Sequence, residues 1–339
     1  MLGLMDIQSS TPISFVFSTH ELNRALLIVL LAILISSVLF FIASFFIIAH
    51  VLFHLHLKRK NKSTWSRDCS GDEPLLRKMY DDGIRWANER REFCKDVHII
   101  NDGLNLYGEY FDFGFDRAVI IVPGRTEGLR YSYYFAKPYF ESGYNVLAID
   151  QRAHGESDGI YNTLGFEEHK DVIAWGKLLY DDYGVQSIML HGNCIGSSCC
   201  LQVLTSPSCP RYFDGLVAEG MYPNFYESFR NHMIELKRPV RPCIDLVDMW
   251  MRYYTGHSMK KGPADIIMQC KVPILMLHSL EDAYSLPDAA QKLYDLCNCK
   301  KKIVWFEKGA HSQLRVNNVE AYDRAIGDFL SENFPNNNE

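Results

Sequence analysis

The chain has 339 residues, a net formal charge of −6 and 47% hydrophobic residues, enough to build one large domain with an appendage or two modest domains. The excess of acidic side chains excludes a nucleic-acid partner held by a basic surface, and no solenoid or propeller period repeats. Ten cysteines include adjacent Cys199 and Cys200 and the pair Cys297 and Cys299 flanking one residue; with neither a disulfide framework nor paired C-x-x-C spacing, they read as thiols in a reducing compartment, with no metal and no cofactor expected.

In chain order, residues 1–24 form a short N-terminal segment. From Ala25 to Ala49 the chain carries no charge, and it continues through HVLFHLHL to Leu57, past the ~20 apolar residues needed to span a bilayer. A cleaved signal peptide has a basic start, an apolar core of ~7–15 residues and a small-residue cleavage site. None of these is present, so residues 25–57 read as an uncleaved anchor in contact with membrane lipid. Downstream lie Lys58, Arg59, Lys60, Lys62 and Arg67, against a single Arg24 upstream, and the positive side stays in the cytoplasm. The expectation is a single-pass membrane protein with its main domain cytoplasmic. Residues 58–94 read as a polar linker followed by a juxtamembrane helix, with Leu75, Leu76, Met79, Ile84 and Trp86 at rough helical spacing.

From residue 95 the rhythm becomes short apolar runs alternating with helical stretches. VHIINDGLNLYGEYF reads as a hairpin, and RAVIIVPG, YNVLAID, SIMLHGN, FDGLVAEG, VPILMLHS and KKIVWFEKG as strands. Buried strands alternating with helices predict a mostly parallel, doubly wound α/β domain over 95–335. An insert at about 221–265, rich in Tyr, Met, Trp and Arg, predicts a helical cap over a site. Met249, Trp250, Tyr253 and Tyr254 either line its pocket over the site or seal the cap onto the core; Trp250 and Tyr253 are taken as substrate-binding.

Within this pattern Gly192–Asn193–Cys194–Ile195–Gly196 has the spacing of a nucleophile elbow, placed between a strand and a helix as the motif requires. Glycines are needed there because the nucleophile sits on a strained turn against neighbouring backbone, and the sulfur falls at a helix N-terminus, where the dipole favours negative charge. Two further strands end in LEDAYS and EKGAHSQ, offering Asp282 as acid and His311 as base in the order the motif demands. Glu219, ending its own strand, is the second choice for the acid, and Glu281 a weaker one. The oxyanion hole needs two backbone donors, assigned to the amides of Ile195 and of Arg125 in PGRTEG. The Arg125 side chain is also a candidate for an anionic substrate group.

VPGRTEG followed by YFESGYNVLAIDQRAHGESDG, the elbow, and the Asp282 and His311 loops resemble the α/β-hydrolase superfamily, specifically its monoglyceride-lipase and lysophospholipase-like group, also called serine aminopeptidase-like. The resemblance covers about residues 95–335 and implies an α/β-hydrolase fold with a helical cap insert. The Pro-Gly-Arg-x-Glu loop of bacterial lysophospholipases implies Arg125 and Glu127 as a shared site feature. Two positions depart: Cys194 replaces the elbow serine, and Pro123 stands where many relatives have His. Cysteine nucleophiles on this fold occur in dienelactone hydrolases, bile-acid-type acyltransferases and polyhydroxyalkanoate synthases. A thiolate attacks thioesters and activated esters readily and leaves readily. The reading is a membrane-anchored acyl hydrolase, esterase, thioesterase or lysophospholipase-like, acting on a small-molecule or lipid-like acyl substrate through a Cys-His-Asp triad and an acyl-enzyme. The alternatives are an acyltransferase with the same nucleophile, or an inactive binding module of the same fold.

Overall fold

A computed structural model describes residues 18–59, 65 and 73–335. Most of the N-terminal segment, and Lys60, Lys62 and Arg67 of the basic linker, lie outside these residues.

The first helix, α1 (Thr19–Leu57), is unbroken over 39 residues. At 1.5 Å per residue it is about 58 Å long, against a hydrocarbon core of about 30 Å, so it is long and apolar enough to cross a bilayer. The chain divides into two compact units, one ending at Ile48 and one beginning at Ala49. In the first, apolar side chains such as Leu27, Leu34 and Phe40 are exposed. The last turns of α1 belong to the second.

That unit is built on strands β1 (Cys94–Asn101), β2 (Leu104–Phe111), β3 (Arg117–Val122), β4 (Asn145–Ile149), β5 (Ser187–Asn193), β6 (Phe213–Glu219), β7 (Ile274–Ser279) and β8 (Lys301–Phe306). Among the described residues they form one sheet in the order β1-β2-β4-β3-β5-β6-β7-β8. β1 and β2 pair antiparallel, and β2 meets β4 antiparallel; from β4 to β8 every pairing is parallel. The hairpin closes on Asp102 and Gly103, both at positive φ (50° and 76°), the backbone a two-residue type I′ turn requires.

The helices are α2 (Pro74–Asn88), α3 (Leu129–Ser132), α4 (Lys137–Glu141), α5 (Glu168–Tyr183), α6 (Ile195–Thr205), α7 (Phe225–Glu235), α8 (Cys243–Thr255), α9 (Pro263–Ile266), α10 (Pro287–Leu296), α11 (Leu314–Asn317) and α12 (Val319–Asn333). Alternate residues of the central strands feed two cores. Ala118, Ile120 and Val122 join Trp175 and Leu179 of α5 and Leu201 of α6. Val119 and Ile121 join Met79 and Trp86 of α2 and Tyr322, Ile326 and Phe329 of α12. Both faces are therefore covered, which is why these strands read as unbroken apolar runs. The helix expected after the polar linker is α2, capped by Glu73, which accepts from the amide of Leu76 at 2.7 Å. A Cβ at Gly83 would sit 2.8 Å from the backbone nitrogen of Tyr134, so α2 lies close against the chain after α3.

The end of α1 packs as an ordinary core helix. Ala49, Phe53 and Leu57 fall four residues apart on one face, and all three are fully buried. Phe53 stacks on Tyr254 of α8 with ring centroids 5.2 Å apart, His50 Nε2 shares a hydrogen bond of 2.9 Å with the Tyr254 hydroxyl, and the His50 and Trp250 rings lie 4.7 Å apart. The chain then leaves the helix by pairing: the amide of Asn162 donates to Leu57 O at 2.9 Å and that of Arg59 to Ile160 O at 2.8 Å.

Because the second unit begins at Ala49, we expect a chain lacking residues 1–48 to fold. In that chain Phe53→Ala should cost about 3–5 kcal/mol in equilibrium urea unfolding, the usual cost of emptying a phenylalanine site in a packed core. A change below about 1 kcal/mol would show that the last turns of α1 merely rest on the domain.

Candidate active site

Parallel strands bring their C-terminal ends to one edge of the sheet, the edge on which open α/β sheets build their sites. Cys194 stands between β5 and α6 with φ 53° and ψ −111°, a backbone conformation that side-chain-bearing residues adopt at a cost of about 1–3 kcal/mol. Its neighbours make the turn possible. A Cβ at Gly192 would lie 2.4 Å from Gly196 C, and one at Gly196 would lie 2.1 Å from Val122 O. The Cys194 amide donates to Glu219 O at 2.8 Å, tying the elbow to β6.

Asp282 follows β7 and His311 follows β8. His311 Nδ1 donates to Asp282 Oδ2 at 2.8 Å, and the carboxylate is fully screened from solvent. Asp282 Oδ1 accepts the amides of Tyr284 and Ser285, each at 2.8 Å. Burial disfavours the Asp282 anion, but His311 and these two amides outweigh it and hold the carboxyl below its ordinary range. Burial likewise disfavours the His311 cation, and the charges of Asp282 and Cys194 outweigh it, raising this imidazole well above its usual value.

The other two acidic candidates have different partners. Glu219 is buried and accepts the Tyr322 hydroxyl at 2.6 Å through Oε2, and burial raises it to about 7. Glu281 accepts the amide of Gly309 at 2.9 Å, pinning the loop that carries His311.

After β3, Gly124 donates its amide to the buried Glu127 carboxylate at 2.9 Å, so Glu127 shapes this loop. Arg125 donates from Nη1 to His56 O at 3.0 Å, and its carbonyl lies 2.5 Å from His154 Nε2. Ile195 begins α6 and is buried. Arg125, Glu127, Cys194 and His311 line one cavity of about 490 Å³.

The cap is where sequence and structure part. Phe225, Phe229 and His232 of α7 and Tyr284 after β7 line the cavity, whereas Trp250 and Tyr253, expected over Cys194, are not among its walls. Trp250 stands against His50, and Tyr253 is 75% exposed. For Trp250 the reason is packing: its face of α8, with Tyr254, is taken up by the last turns of α1. Residues that sequence inspection passed over are those of α7 and Tyr222. Burial, then the nearby charges of Arg125 and Arg238, lower the His232 imidazole and favour its neutral form. Tyr222 is fully buried, and burial followed by the charge of Cys194 keeps its phenol protonated. Their position directly after β6, inside the insert, was the available signal. Among the described residues no group of three or more His, Cys, Asp or Glu side chains is arranged to hold a metal ion.

Comparison with known proteins bears on the fold. Residues 117–237 match the family described as alpha/beta hydrolase fold. Protein YqkD of Bacillus subtilis (strain 168) is 24% identical over 265 residues, covering 76% of this chain and 87% of that protein. Among solved structures, the Pyrococcus furiosus esterase Pf2001 superposes with a TM-score of 0.60 at 23% identity, over 73% of this chain and 93% of the esterase. The alpha/beta hydrolase GrgF from Penicillium sp. sh18 does so with a TM-score of 0.57 at 16% identity, over 71% of this chain and 98% of that one. The chain has the α/β-hydrolase fold.

Proposed function

We propose that the protein is a membrane-anchored acyl hydrolase in which Cys194, His311 and Asp282 form the catalytic triad. The observation that carries this reading is the 2.8 Å His311–Asp282 pair, whose imidazole faces the same cavity as a cysteine held on a strained elbow. His311 takes the thiol proton, the thiolate attacks the acyl carbon, and an oxyanion develops on the carbonyl oxygen. The amides of Ile195 and Arg125 receive that charge. The imidazolium, held by the Asp282 carboxylate, returns its proton to the leaving group, and water then attacks the acyl-enzyme with His311 again as base.

The cavity walls suggest the substrate class. Leu76, Phe225, Phe229 and Tyr284 offer apolar surface for an acyl chain, and Arg125 and His232 offer polar contacts. An ester or thioester of an amphipathic, lipid-like acid fits that division. A cysteine nucleophile favours thioesters, whose leaving group is itself a thiolate. Lys58 and Arg59 at the exit of α1, with the basic residues that follow in the sequence, support placing this domain on the cytoplasmic side.

Replacing Cys194 by alanine should reduce turnover by more than about 10³-fold, since removing a triad nucleophile leaves only the contribution of the oxyanion hole and binding. Cys194→Ser should keep part of the ester hydrolysis and lose thioester hydrolysis disproportionately. A rate profile across p-nitrophenyl esters, acyl thioesters and lysophospholipids reads both, and an unimpaired Cys194→Ala would leave a binding module of the same fold. A product that appears only with an added alcohol, amine or thiol acceptor would instead identify an acyltransferase.

Glu219 adds a pH dependence. Its folded value near 7 lies above the ordinary 4.5, so the stability that depends on its protonated form is complete below pH 4.5 and is lost as pH rises through 7, about 3 kcal/mol in all. Glu219→Gln should cancel this loss. In urea unfolding, the difference between variant and wild type should shift towards the variant by that amount between pH 4.5 and 8. A difference independent of pH would show that the carboxyl is already ionised in the fold.

For topology, protease added outside intact cells should leave residues beyond 65 undigested. Cleavage there would reverse the assigned orientation.

A further inference from the structure

The segment that leaves α1 reaches the loops around the cavity directly. At the helix end, His56 O accepts the Arg125 guanidinium at 3.0 Å, and the His56 ring lies 4.9 Å from that of Phe229, a cavity wall. Three residues later, Arg59 donates from Nη1 to Ser157 O at 2.5 Å and from Nη2 to Gly155 O. The loop it grips is tied to the oxyanion loop at three further points. His154 Nε2 lies 2.5 Å from Arg125 O, Gln151 Nε2 donates to Pro123 O at 2.7 Å, and Asp150 Oδ1 accepts the Leu129 amide at 2.7 Å. Trp65 closes over this arrangement, stacked on His154 with centroids 5.0 Å apart.

Arg125 is therefore held from two sides, its side chain by the anchor's last turn and its carbonyl by a loop that Arg59 clamps. We propose that the exit segment of the anchor is a positioning element of the active site, with the His56 carbonyl and the Arg59 guanidinium setting the place of the Arg125 amide. The proposal rests on the reading of that amide as an oxyanion donor. Neither group touches the reacting atoms; both act through Arg125. The physical demand is tight, because an oxyanion donor works only within about 2.7–3.1 Å of the developing charge, and a displacement near 1 Å costs about 10²-fold in rate.

The test uses the full chain in detergent micelles, with Arg59→Met to remove the clamp and Arg59→Lys to return a donor. Three measurements separate positioning from general damage. The first is kcat and KM on a short-chain p-nitrophenyl ester. The second is affinity for an alkyl trifluoromethyl ketone: the Cys194 sulfur adds to its carbonyl carbon, the π pair moves to oxygen as an oxyanion, and the thiol proton passes to His311. The third is the rate of alkylation of Cys194 by iodoacetamide, a displacement of iodide that forms no oxyanion. In Arg59→Met we expect kcat to fall about tenfold with KM within about twofold, ketone affinity to fall by the same factor as kcat, and alkylation to keep its rate. Arg59→Lys should recover part of both losses. Unchanged kcat and ketone affinity would overturn the proposal, and so would alkylation falling in parallel, since Arg59 would then support the nucleophile or the fold at large. A wild-type chain that hydrolyses no ester would refute the proposed activity, while the ratio of ketone affinities would still decide the positioning role. Wild type that does not bind the ketone would refute the oxyanion assignment and this proposal with it.

Discussion

The turn at Cys194 is the constraint on which the site depends. β5 must become α6 within a single residue, and that residue must point its side chain out of the sheet edge. It does so at φ 53°, and the conformation survives because neither Gly192 nor Gly196 brings a Cβ into the contacts at 2.4 and 2.1 Å described above. The Cys194 amide bonded to Glu219 O and the Ser197 hydroxyl bonded to Gly192 O and Glu219 O brace the turn against β6. A strained residue persists only when its surroundings over-determine it, and here two buried strands and a helix do so.

The parallel sheet supplies what the elbow needs. β6 separates β5 from β7, and β8 lies beyond β7, so Asp282 and His311 arrive from one side of the nucleophile. Gly220, at φ 59° after β6, leaves room for them: a Cβ there would meet His311 Cε1 at 3.3 Å. The two carboxyls at the neighbouring strand ends are separated by environment rather than by residue type. Asp282 is given a cationic partner and two amides, whereas Glu219 is given a phenol and a fully buried Oε1 with no hydrogen-bond partner among the described residues. The first environment favours the anion and the second favours the acid.

The last turns of α1, from Ala49 on, belong to the unit that carries this edge. An apolar helix that had ended at Ile48 would have left the aromatic face of α8 open; instead His50, Phe53 and His54 cover it, and α7 lines the cavity. The loop at 150–158 is fixed from the other direction by buried Arg152, whose guanidinium holds Asp171 of α5 at 2.6 and 2.7 Å. The end of α1, the loop and the sheet thus share one set of contacts.

The order of strands and helices, the hairpin, the elbow and the Asp and His strand ends were legible in the sequence because each is local. A short unbroken apolar run, a Gly-x-Cys-x-Gly spacing and a side chain just past a strand are all encoded within a few residues. The apolar length of α1 was equally plain, since a bilayer-spanning helix needs only composition and length. What tertiary structure alone decided was partnership. Which of Asp282, Glu219 and Glu281 meets His311 depends on how three strand-end loops fold over one another. Trp250 and Tyr253 looked like pocket residues because they are aromatic and lie in the insert; Trp250 instead meets His50, 200 positions away in the chain and beyond the reach of any local pattern, and Tyr253 is exposed. The same distance hid the contact between His56 and Arg125, because a backbone carbonyl carries no side-chain signature for a sequence to display.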